Sequence, residues 1–150
     1  MMEDNNEQAR NWAMWCHLSS IAWILAFIIP FPFLNILCPL IVWLSKKNQN
    51  SFINAHGKES LNFQLSLLIY TIICAIILLF LTSVTCGWIA PLGSSSAQSS
   101  ITTIGVSLLI GLIGLYVIGG IISFALVIFA AVKAKKGEFY HYPFTIRFLK

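Results

Sequence analysis

The sequence predicts an all-α protein: a polytopic transmembrane bundle of about four helices, made of an N-terminal helical hairpin and two full spans. Three observations lead there. First, of 150 residues, 58% are hydrophobic and only 9% charged, whereas a soluble domain carries about a quarter charged residues. Second, no charged residue occurs between Leu61 and Val132, a stretch long enough for two membrane crossings of about 20 residues each. Third, an earlier apolar stretch is split by prolines at Pro30, Pro32 and Pro39, and proline breaks helices. The length suits one membrane domain over residues 1–150.

Residues 1–11 read as a polar, mobile tail without the apolar core or cleavage site of a signal peptide. Trp12 to Leu44 spans 33 residues, and a straight helix of that length would reach about 50 Å, beyond a hydrocarbon core of about 30 Å. A hairpin over 12–46 is expected, turning at Pro30-Phe-Pro32, with Pro39 in the first turn of the return helix. Trp12, Trp15 and Trp43 then fall at one membrane interface, where tryptophan is favoured. The third helix is expected over 54–83, with Asn54 as N-cap and Glu59 complementing the helix dipole.

Residues 84–101 form an uncharged loop rich in Ser, Gly and Pro. The fourth helix is expected over 102–136, where Gly111, Gly114 and Gly119 would allow close helix packing within the monomer. Residues 137–150 read as an interfacial tail. Gly137 ends the helix, and Tyr140, Tyr142, Pro143 and Arg147 belong to an aromatic and basic segment suited to lipid head groups.

Nine Lys and Arg against five Asp and Glu give +4. The basic residues flank the hydrophobic stretches at Lys46, Lys47 and Lys58, and again from Lys133 onward. The positive-inside rule therefore puts both termini on the cytoplasmic side (or its stromal or matrix equivalent) and the loop 84–101 opposite, with a bacterial inner membrane as the expected location. Membrane lipids are the expected partners, with a membrane-protein partner or a homo-oligomer possible, and nucleic acid is excluded as the weaker reading of a basic aromatic tail.

On a helix, Glu59, Asn62, Ser66 and Tyr70 share one stripe, with His56 at its edge. A carboxylate near the bilayer centre costs about 3 kcal/mol, so such a stripe faces protein, a cavity or the interface. His17 and Ser20 make a similar polar face on the first helix. The two faces are expected to meet and hydrogen-bond across the bundle, because an unpartnered buried polar group is costly. The polar core is thus His17, Ser20, His56, Glu59, Asn62, Ser66 and Tyr70.

Cys16, His17, His56 and Glu59 are metal-ligand types, but only His56 and Glu59 share a helix face, and no ligand motif surrounds them. The four cysteines show no ligand spacing. Nothing supplies a nucleophile with a base, or a phosphate-binding glycine loop after a strand. No metal, no cofactor and no catalytic residues are expected. A small homo-oligomeric channel or transporter lined by the polar stripe is the alternative to a non-catalytic scaffold or assembly subunit.

Three blocks carry a resemblance: Asn11-Trp-Ala-Met-Trp-Cys-His-Leu-Ser19; Pro39-Leu-Ile-Val-Trp-Leu-Ser-Lys-Lys47 leading into Ser51-Phe-Ile-Asn-Ala-His-Gly-Lys-Glu-Ser-Leu-Asn-Phe-Gln64; and Lys133-Ala-Lys-Lys-Gly-Glu-Phe-Tyr-His-Tyr-Pro-Phe-Thr-Ile-Arg147. In this order they resemble the MamF-like and Tic-twenty-like family of small four-helix membrane proteins. The family usually shows Pro-Phe-Val-Asp-x-His where this chain has Ser51-Phe-Ile-Asn-Ala-His56, and Tyr-Arg-Tyr-Pro where it has Tyr140-His-Tyr-Pro143. Asn54 in place of an acid speaks against a cation site. The resemblance implies a four-helix membrane fold, while most bacterial members of the family have no assigned activity. Its relatives include a chloroplast inner-envelope import subunit, which suggests protein translocation, and magnetosome proteins that influence mineral size.

Overall fold

The computed structural model describes residues 2–22, 33–89 and 95–150, with side chains at 6–22, 33–84, 99 and 103–150. The described residues form four helices and no strand: α1 (Met2–Leu18), α2 (Leu34–Lys46), α3 (Ser51–Ile89) and α4 (Ser95–Lys136). Two stretches, Ser51–Val84 in α3 and Thr103–Lys136 in α4, are long and apolar enough to cross a membrane.

The chain divides into two compact units, residues 1–68 with 123–150, and residues 69–122. In the first, α1 packs on α2. The beginning of α3 is so enclosed that every residue from Glu59 to Gln64 is buried. One apolar cluster joins Phe63 to Val127, Ala130 and Tyr142; another joins Ala9 and Cys16 to Ile53. Ala13, Ala130 and Ala134 are fully buried, their small side chains letting neighbouring backbones approach. Gly57 serves the same end. A Cβ there would lie 2.2 Å from Cδ1 of Trp43.

The second unit exposes its apolar side chains. Leu79, Phe80, Ile110 and Ile113 are each about two-thirds exposed (68, 67, 65 and 64%), as lipid-facing residues are. An added Cβ at Gly111, Gly114 or Gly119 would meet nothing within 4 Å. The close packing expected at these glycines is therefore not made among the described residues.

Several boundaries differ from the sequence reading. The N-terminal residues expected as a mobile tail are helical from Met2, and burial of Ala9 against Ile53 ties this turn down. The described part of the first helix ends at Leu18 with a 3₁₀ turn over 19–22, and the hairpin turn at Pro30-Phe-Pro32 lies outside the described residues. Pro39 sits six residues into α2, not in its first turn. Asn50, not Asn54, caps α3: its Oδ1 accepts the Phe52 N–H at 2.8 Å. Asn54 instead accepts the Trp43 indole N–H at 2.9 Å. Much of the expected 84–101 loop is helical, since α3 runs to Ile89 and α4 starts at Ser95. Helical hydrogen bonds satisfy the backbone where no water competes.

Candidate functional site: a polar helix face closed by the C-terminal tail

The stripe on α3 meets the backbone of residues 142–150. Glu59 Oε1 accepts the Tyr142 N–H at 2.8 Å. Ser66 Oγ accepts the Ile146 N–H at 2.9 Å and donates to the Asn62 carbonyl at 2.7 Å. Asn62 takes three bonds: Oδ1 accepts the N–H groups of Phe148 (3.1 Å) and Leu149 (2.9 Å), and Nδ2 donates to the Leu149 carbonyl at 3.0 Å. Lys58 Nζ donates to the Lys150 carbonyl at 2.6 Å. The tail thus follows α3 from Glu59 to Ser66 and returns past Asn62 to Lys58. Phe144, on the outgoing limb before the reversal, has a left-handed φ of 57°. These side chains of α3 bind main chain, so the tail's non-helical peptide groups find partners.

Beneath the tail lies a chain of three buried rings. Tyr142 OH is 3.0 Å from His17 Nδ1, and His17 Nε2 is 2.9 Å from His56 Nδ1. Tyr142 also stacks on Phe63 at 4.0 Å between centroids. If Tyr142 donates to His17, His17 donates to His56; the opposite tautomers reverse both bonds. Burial, reinforced by His56, depresses the His17 pKa to about 3, so His17 is neutral near pH 7. Burial, with Tyr140 and Glu59 nearby, holds the Tyr142 hydroxyl well above its usual range. Burial pushes the Cys16 thiol up to about 12. The chain ends at His56 Nε2, which is buried without a hydrogen-bond partner among the described residues and lies under Phe139, whose ring stacks at 5.5 Å.

Of the residues singled out from the sequence, His17, Ser20, His56, Glu59, Asn62 and Ser66 are all buried in the first unit. Their pairing differs from the expected one. Asn62 and Ser66 hold the tail, while Ser20 donates to the His17 carbonyl of its own helix at 2.6 Å. Tyr70 belongs to the second unit and is 39% exposed. In the tail, Tyr142 is buried and Tyr140 half-buried, while Pro143 and Arg147 are exposed. His141 Nδ1 lies 3.5 Å from Glu59 Oε2.

Sequence reasoning missed three cross-links in this unit. Ser60 donates to the Cys16 carbonyl at 2.8 Å, Asn35 donates to Gln64 at 3.1 Å, and Trp43 pairs with Asn54. Gly57, one turn from Asn54, was the available sign that a bulky ring packs there. Among the described residues, no group of three or more His, Cys, Asp or Glu side chains is placed to hold a metal ion.

The architecture defines a small helical membrane protein with two candidate spans and a separate polar-cored unit closed by its own tail. The model of the magnetosome magnetite crystal formation protein family, MamF/MmsF, matches residues 8–149, and the chain belongs to that family. No curated protein and no solved structure matches it.

Proposed function

We propose that this chain is a non-catalytic scaffold or assembly subunit of a membrane in which mineral crystals form, acting through protein and lipid contacts. The family description supports the setting. One observation carries the non-catalytic reading: Glu59, Asn62 and Ser66, polar side chains of the α3 stripe, are engaged with the chain's own tail. Cross-linking in native membranes followed by mass spectrometry tests it. A reproducible protein partner, lost in Asn62→Leu, is the expected result; recovery of no partner counts against it.

For the membrane arrangement, we read residues 69–89 and 103–122 as the crossing segments. Segments of 21 and 20 helical residues cover about 30 Å each, close to a hydrocarbon core, and no residue from 69 to 122 is charged. Both termini are then cytoplasmic, in a bacterial inner membrane or one derived from it. A C-terminal reporter active only outside the cytoplasm would overturn this if it gave signal.

Protein translocation is the narrower role suggested by the resemblance to the plastid group, and a precursor chain cross-linked in transit would support it. The channel alternative requires the tail to leave, because the tail lies along the stripe from Lys58 to Ser66. Conductance of the reconstituted protein, altered by Glu59→Gln, would favour the channel.

A further inference from the structure

We propose that a pocket of the first unit, between α1, the first turn of α3 and the turn after α4, binds a phosphate group. The pocket has a volume of about 180 Å³ and is lined by Asn6, Ala9, Arg10, Asn50, Phe52 and Gly137.

The first support is Arg10. Its guanidinium lies against Gly137, where a Cβ would come within 2.8 Å of Nε and 3.2 Å of Cζ. Gly137 has a φ of +82°, so both backbone conformation and space call for glycine where the cation rests. Arg10 makes no hydrogen bond or ion pair among the described residues. Of the acids of this unit with described side chains, Glu138 pairs with Lys133 at 2.8 Å and Glu59 holds Tyr142 and faces His141, while Glu7, one turn before Arg10 on α1, makes no ion pair with it. A role confined to closing the last carbonyls of α4 would show as hydrogen bonds from Arg10 to them, and none is made.

The surroundings also favour an anion. Asn50 caps α3 through its Oδ1, leaving its amide N–H₂ as a donor in the pocket wall beside the positive end of a long helix dipole. Lys135 reaches Asn11, and Lys46 lies 4.5 Å over the Trp12 ring. Two further cations are thus bound to the residues that directly follow Arg10. A guanidinium fork with amide donors suits the tetrahedral oxygens of phosphate better than a planar apolar ligand. The same chemistry is offered by an anionic lipid head group and by free inorganic phosphate.

The test uses the full chain purified in a zwitterionic detergent. Binding of phosphatidylglycerol, and separately of inorganic phosphate, is followed by native mass spectrometry and by the shift in melting temperature. Arg10→Gln should weaken binding at least about tenfold, while Lys47→Gln, on the Trp43 ring and outside the pocket, should leave it unchanged. Helicity and melting of the unliganded variants should match the parent, which separates lost binding from lost folding. Saturation by phosphatidylglycerol alone assigns the site to lipid; equal occupancy by inorganic phosphate assigns it to the free ion. Equal losses in Arg10→Gln and Lys47→Gln, or none in either, would overturn the proposal. Because the readout is phosphate binding, it stands or falls separately from the scaffold reading.

Discussion

The hydroxyl of Tyr142 and the Nδ1 of His17, 125 positions apart in the chain, are 3.0 Å apart in a buried contact. This bond joins the first helix to the C-terminal tail, and His17 passes it on to His56 of α3. Tyr142→Phe keeps the ring stacked on Phe63 but leaves His17 Nδ1 without that partner. A loss of about 1–3 kcal/mol is expected, read as a lower melting temperature in detergent. An unchanged melting temperature would show that the bond contributes nothing.

Asn62 makes three of the hydrogen bonds that hold the end of the tail. Asn62→Leu should free Phe148 and Leu149 while leaving the helices intact. Amide exchange at Phe148 and Leu149 should accelerate by tenfold or more, at about 1.4 kcal/mol per factor of ten, with helicity unchanged.

Gly57→Ala would drive a methyl group into the Trp43 ring, whose Cδ1, Cγ and Cβ lie 2.2, 2.7 and 2.9 Å from the new atom. Overpacking of this kind costs about 1–3 kcal/mol. Because α2 must move to relieve it, the Trp43–Asn54 bond should break as well. Thermal unfolding followed by tryptophan fluorescence reports both effects.

Stability should fall in acid. The folded His17 pKa is depressed to about 3 from an ordinary 6.5, so between those values the unfolded chain binds the extra proton. The stabilising contribution is complete above about pH 6.5 and is lost progressively as pH falls toward 3, amounting to about 2 kcal/mol by pH 5. Denaturant unfolding at pH 8 and pH 5 measures it; His17→Gln should reduce the difference, and the part that remains comes from His56, which burial depresses to about 4.

Cys16 is fully buried with its thiol pushed up to about 12. At pH 8 it should resist maleimide in the folded protein and react only on unfolding. Peptide mapping after timed labelling distinguishes it from the other cysteines.

Much of the fold was legible because the bilayer imposes long uniform runs: the two apolar stretches emerged as α3 and α4. Their ends were not, because helix continuation through Thr85–Ile89 and Ser95–Ser100 depends on surroundings that override the turn chemistry of Gly and Ser. The site was legible in part. Helical periodicity selected Glu59, Asn62 and Ser66, and burial cost implied partners for them. That those partners are main-chain groups of 142–149 could not be read, since a backbone N–H leaves no mark in a sequence.

Residue order alone was enough for the membrane class, the two spans, the polar stripe and the family's three blocks, because each depends on composition or on spacing along one helix. Which polar groups face one another was settled by packing. His17, His56 and Tyr142 are brought together from α1, α3 and the tail, and Arg10 comes to rest on Gly137. Such pairings depend on distances between segments far apart in the chain, and no local propensity encodes them.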